Sequence, residues 1–168
     1  MEQRSILNYF RPDEIVKELA EIDFAALRAR GIKALILDID DTLIPKEVND
    51  VYPKVFEWVF ARKQEGFRLC LTSNSRHPLR VKSIGDSLGL PAISFGFKPL
   101  PFVFWKSLDI LKAKPAETAM IGDQLFMDIL GAKLLKIYAI FIDHQKKENY
   151  VFRQWMRQAE QWVLKLKP

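Results

Sequence analysis

A chain of 168 residues is long enough to bury a core without disulfide or metal staples, and it is read as one domain over 1–168. Its single cysteine, Cys70, excludes an intrachain disulfide framework and a thiolate metal cluster, and its place inside FRLCLT marks a buried thiol. A net charge of +5 and a pI near 9.3 permit attraction to phosphates or anionic lipid. The basic residues are spread along the chain without an aromatic-basic sheet motif, so no nucleic-acid partner is expected.

The chain opens on MEQRSILNYFRPDEIVKEL, which carries acids and has no apolar signal core, so a cytoplasmic location is expected. An amphipathic prelude over residues 1–31, PDEIVKELAEIDFAALRARG within it, predicts one or two helices before the first strand. The apolar runs KALILD, FRLCLT, PAISFGF, TAMIGD and YAIFID then alternate with segments of helical length. That alternation predicts an α/β three-layer sandwich around a parallel sheet of about five strands. A closing amphipathic helix is expected over 148–166, with Trp155 and Trp162 among its apolar residues and Arg153, Arg157, Lys165 and Lys167 beside them. Such a helix either packs on the sheet or lies on an anionic lipid surface as a peripheral contact.

Candidate functional residues gather where these strands end. KALILD closes on Asp38, and Asp40 follows with the same facing if the strand's alternation continues. Two carboxylates so close repel unless a hard cation such as Mg²⁺ lies between them. FRLCLT closes on a hydroxyl, Thr72 or Ser73, that can donate to a phosphate oxygen. PAISFGF leads to Lys98, and TAMIGD closes on Asp123, with Asp128 placed to turn back to the same edge. Each residue alone has an ordinary reading: a solvated turn, a helix cap or a surface lysine. Together they place a cation site between Asp38 and Asp123 and an anion site between Ser73 and Lys98, the requirements of phosphoryl transfer.

LILDIDDTL, LCLTSN, FKPLP and MIGDQLFMDI resemble, in order, the four motifs of the haloacid dehalogenase (HAD) superfamily of phosphohydrolases. The run from EIDFAALRARGIKALILDIDDTLIP to IGDQLFMDILGAK is similar to the class IIIA phosphatases called YqeG-like, a group related to mitochondrial phosphatidylglycerophosphate phosphatases. The resemblance implies a HAD-like Rossmannoid fold and a phosphomonoester hydrolase that uses Mg²⁺. It implies Asp38 as nucleophile and Asp40 as acid and base, with Thr42 orienting Asp40. Asp38, the Asp40 backbone carbonyl, Asp123 and Asp128 would hold the metal, and Ser73, Asn74 and Lys98 the phosphate. Asp41 stands where that group tends to have Asn, at a position that contributes mainly backbone.

From Thr42 to Ser73 is about 30 residues and from Ser73 to Lys98 about 25, each enough for a crossover helix and little more, so no cap domain is expected. An open site suits a bulky substrate such as a lipid head group. A soluble nucleotide or sugar phosphate is the alternative substrate. A phosphoacceptor signalling domain is a remote alternative, since LCLTSN supplies a hydroxyl where that arrangement needs an aspartate.

Overall fold

The computed structural model describes residues 6–144. After a 3₁₀ turn at Ile6–Phe10, the chain forms β1 (Glu14–Val16), α1 (Phe24–Ala29), β2 (Ala34–Asp38), α2 (Pro53–Gln64), β3 (Arg68–Thr72), α3 (Pro78–Leu88), β4 (Ala92–Ile93), α4 (Pro101–Leu111), β5 (Thr118–Gly122), α5 (Leu130–Leu134) and β6 (Tyr138–Ile142). The sheet is parallel throughout, with strand order β1-β6-β5-β2-β3-β4. Beginning at β2, the chain builds outward through β3 and β4, then returns to the other side for β5 and β6. The reversal of direction at β2 opens a crevice at its carboxyl end, where open α/β sheets bind ligands.

Alternation along each strand divides the core into two layers. Leu35, Leu37, Leu69, Leu71 and Ile121 pack with Phe24, Val55, Val59, Val81 and Ile84 of α1, α2 and α3. On the other face Ala34, Ile36, Cys70 and Met120 pack with Val103, Phe104 and Leu108 of α4 and with Ala132 of α5. All five β2 side chains are buried, as continuous apolar strands of parallel sheets require. The β2–β3 register sets Asp38 beside Thr72, and β5 pairs with β2 through Ile121 and Leu37. The three strand ends therefore finish at one level.

The structure adds to the expected fold at three places. The prelude forms a strand as well as a helix, which gives the sheet a sixth strand. Asp13 secures this edge: its carboxylate accepts from the Ala139 N–H at 2.8 Å and pairs with Lys133 at 2.7 Å. Three strand residues inside a helix-like periodicity leave too short a pattern to recognise. β4 is only Ala92–Ile93, and the following Phe95 and Phe97 take left-handed backbone, φ +50° and +49°, which ends the pleat. The stretch after β5 begins as a π-helical turn at Leu125–Ile129 before continuing as α5. The closing helix expected over 148–166, with Trp155 and Trp162, lies outside the described residues.

Gly131 sits within α5, where an added Cβ would collide with the Phe104 ring of α4. Gly131→Ala is expected to destabilise by about 1–3 kcal/mol through overpacking, read as a thermal midpoint lower by about 2–4 °C per kcal/mol.

Candidate active site

The short β2 strand delivers Asp38 to the carboxyl edge, buried and facing Lys98. Lys98 Nζ lies 2.5 Å from Asp38 Oδ1 and 2.6 Å from Asp128 Oδ1. Asp123, the residue after β5, is buried beside them, and Asp38, Asp123 and Asp128 each offer a carboxylate oxygen within 4.8 Å of the others. Two of these three carboxylates pair with the one ammonium. Asp38 Oδ2 is buried with no hydrogen-bond partner among the described residues, so an oxygen is available for a ligand. The donor set, all oxygen and all acidic, fits a hard divalent cation.

Burial raises the Asp38 carboxyl to about 7; Lys98 opposes the rise, while Asp128 and Asp40 add to it. Burial alone would lower the Lys98 ammonium, but Asp128 and Asp38 outweigh it and raise its pKa above the ordinary value. Lys98 therefore stays charged.

Asp128 reaches the cluster because Gly122 has no side chain. A Cβ at Gly122 would overlap the Asp128 carboxylate, so the glycine provides the space into which the acid folds. The π-helical turn brings Asp128 back over the strand end, and the Gln124 N–H donates to its Oδ2 at 3.1 Å. Such turns concentrate at functional sites.

Asp40 stands apart from the acid cluster. Its Oδ2 accepts from Ser73 Oγ at 3.2 Å and its Oδ1 pairs with Arg80 Nη1 at 2.7 Å. Thr42 is buried, yet its hydroxyl finds no hydrogen-bond partner among the described residues, so Ser73 and Arg80 hold Asp40 instead. The alternation that was to align Thr42 with Asp40 ends at Asp38: Asp41 turns to φ +62° and its N–H donates to the Ile44 carbonyl at 2.8 Å. Left-handed backbone suits Asp and Asn alike, which explains why an Asp is accommodated at this position.

Of the two candidate hydroxyls, Ser73 is the one on Asp40; the Thr72 hydroxyl is buried without a hydrogen bond. Asn74 does not point an amide into the cluster. It clamps the Lys98 backbone, accepting from the Lys98 N–H at 2.8 Å and donating to the Lys98 carbonyl at 3.1 Å. Arg80 had no signal in the sequence, where it was one basic residue among several in a crossover helix. Besides Asp40, it binds the Val48 carbonyl through Nη2 at 2.8 Å, tying the segment after β2 to α3.

This geometry has known counterparts. The sequence pattern of haloacid dehalogenase-like hydrolases matches residues 46–135, a span containing Ser73, Lys98, Asp123 and Asp128. The probable phosphatase YqeG of Bacillus subtilis (strain 168) is 30% identical over 156 residues, covering 93% of this chain and 90% of that protein. The chain belongs to the haloacid dehalogenase-like hydrolases. It is a phosphatase of that family. The mitochondrial phosphatidylglycerophosphatase GEP4 of Saccharomyces cerevisiae is 27% identical over 126 residues, 67% of each chain. A crystal structure of a HAD-superfamily hydrolase from Ehrlichia chaffeensis shares the fold, with a TM-score of 0.57 at 16% identity over 76% of this hydrolase and 97% of that one.

The electrostatics of the hydrolase's site give a test that needs no turnover. A carboxyl raised in the folded state binds its proton more tightly there than in the unfolded chain. Its contribution to stability therefore diminishes as pH rises from the unfolded value of 3.8 to about 7. Asp38→Asn removes that penalty, so in chelator at pH 8 the variant should melt above the parent by a few degrees, about 2–4 °C per kcal/mol. Added Mg²⁺ should raise the parent's midpoint and raise the variant's less.

Proposed function

We propose that this phosphatase hydrolyses a phosphomonoester through an aspartyl phosphate on Asp38, with Mg²⁺ held by Asp38, Asp123, Asp128 and the Asp40 backbone carbonyl, and that its substrate is a lipid head group, phosphatidylglycerophosphate first among candidates. The observation that carries the chemistry is the buried cluster of three carboxylates around Lys98, with an Asp38 oxygen still unpartnered. Bound Mg²⁺ supplies positive charge that lets an anionic nucleophile approach an anionic phosphoryl group.

A carboxylate oxygen of Asp38 attacks phosphorus while the bond to the leaving oxygen breaks, and Asp40 gives that oxygen its proton. Asp40 then takes a proton from water as the water oxygen attacks phosphorus. The bond from Asp38 to phosphorus breaks, releasing phosphate and regenerating both acids. Lys98 and Ser73 balance charge on the phosphoryl oxygens. Arg80 and Ser73 orient Asp40, and Asn74 positions Lys98 through its backbone.

Two observations support a lipid substrate. Each connection between strands among the described residues carries no inserted domain, so the site opens toward a surface. Beside Asp41 and Thr42 lies a cavity of about 430 Å³, lined also by Lys17, Lys54, Tyr52 and Trp58. It adjoins Asp40, where the leaving group departs, and its two lysines suit the second phosphate of such a head group. The similarity to the yeast phosphatidylglycerophosphatase agrees with this reading. No described helix is long and apolar enough to cross a membrane, so the proposed contact is peripheral and the proposed location cytoplasmic.

Hydrolysis of an aryl phosphate should stop in excess chelator and return with Mg²⁺; activity that survives chelation would overturn the metal assignment. Asp38→Asn should be inactive, whereas Asp40→Asn should accumulate phosphoenzyme with a good leaving group, seen as protein-bound phosphate labile to hydroxylamine. Arg80→Ala should lower kcat by about 10²-fold by loosening the acid and base, with Arg80→Lys recovering part of the loss. Across phosphomonoesters, phosphatidylglycerophosphate in vesicles should have the highest kcat/KM. A nucleotide or sugar phosphate that exceeds it would replace the lipid reading and keep the phosphatase.

A further inference from the structure

The loop that supplies Lys98 also builds an apolar surface that the chemistry does not use. Phe95 and Phe97 both occupy left-handed backbone, φ +50° and +49°, a conformation bulky aromatic residues rarely adopt. Their exposed rings alternate with the buried Gly96 and Lys98. Hydrogen bonds tie this alternation down: the Gly96 N–H donates to the Ser73 carbonyl at 2.9 Å, and Asn74 clamps Lys98. The backbone that turns the lysine into the acids thus turns two phenylalanines out to solvent.

The apolar surface continues beyond the loop. Phe97 and Phe102 meet with ring centroids 6.3 Å apart. Trp105 stands three residues on along α4 and is 59% exposed, and the exposed Leu100 lies between loop and helix. Strained backbone and exposed aromatics both count against the isolated fold. Placing Lys98 accounts for the backbone; the exposed rings call for a surface to cover them.

Charge identifies the occupant. Residues 73–85 and 87–107 contain no Asp or Glu, while Arg76 and Lys106 are exposed among them. The exposed acids that border this stretch, Asp86 and Asp109, are each paired with a lysine, Lys82 and Lys112. Protruding aromatics among cations complement an anionic bilayer, where aromatic rings enter the interface and basic residues meet phosphates.

We infer that Phe95, Phe97, Leu100, Phe102 and Trp105 form a rim that inserts into an anionic lipid surface and sets the mouth of the active site against it. The inference rests on the reading of the substrate as a lipid phosphomonoester, since a rim on the loop of Lys98 presents the site to what lies in that surface. It moves the membrane contact from the closing segment of the chain to the active-site mouth.

The test uses the full chain and vesicles that contain no phosphomonoester: phosphatidylcholine alone, and phosphatidylcholine with phosphatidylglycerol. The parent should co-sediment with the anionic vesicles well above the neutral ones. The double variant Phe102→Gln, Trp105→Gln should lose about tenfold or more in vesicle partitioning, because two interfacial rings are removed. Leu100→Gln should lose less. All variants should keep the parent's kcat/KM on a soluble aryl phosphate, a control that also reports folding. Unchanged partitioning of the double variant would overturn the rim, as would a parent that ignores anionic vesicles. A concentration-dependent dimer in sedimentation velocity that the double variant abolishes would assign the rim to a second copy instead. Vesicle binding that depends on the rim, with no preference for a lipid phosphomonoester over soluble ones, would sustain the docking surface and overturn the substrate reading alone.

Discussion

Lys98 Nζ lies between the Asp38 and Asp128 carboxylates in a space from which water is almost wholly removed. Removing the lysine from such a cluster would leave uncompensated buried carboxylates, far more expensive than losing an exposed ion pair. Burial raises the Asp38 carboxyl to about 7, with Asp128 and Asp40 adding to the rise and Lys98 opposing it. A divalent cation held by Asp38, Asp123 and Asp128 would add a second positive charge to that of the lysine.

Backbone conformation, more than side-chain packing, builds this arrangement. Gly122 provides space for Asp128, a π-helical turn redirects that acid, and Asp41 reverses the chain just after the nucleophile. Asn74 binds both the N–H and the carbonyl of Lys98, so the β3 loop and the β4 loop move as one piece. Arg80 makes the corresponding link on the other side, joining Asp40, the Val48 carbonyl and α3. Asp38, Asp40 and Lys98 are thereby held by three loops that brace one another, as a site requiring sub-ångström placement needs.

Much of this was legible in the linear chain because it depends on local order. Apolar runs of five residues alternating with helical segments imply a parallel sheet, and in such a sheet every residue that ends a strand arrives at one edge. Asp38, Ser73, Lys98 and Asp123 could therefore be assigned together from position alone. What required the tertiary structure was whatever crosses between distant segments or departs from periodicity. β1 is three residues whose partner, β6, lies over a hundred positions away, so no local pattern announces it. Strand alternation stops where Asp41 turns left-handed, so it does not set which way Thr42 faces, and Arg80 had no signal because a guanidinium's target depends on which loop folds over its helix. The rim was hidden for a related reason. Phe95 and Phe97 read as strand residues by composition, and only the φ angles imposed by anchoring Lys98 turn their rings outward. Sequence by itself determined which chemical groups stand at the sheet's edge; tertiary contacts decided which groups touch and which face solvent, since hydrogen-bond partners and backbone handedness are settled only when separate segments meet.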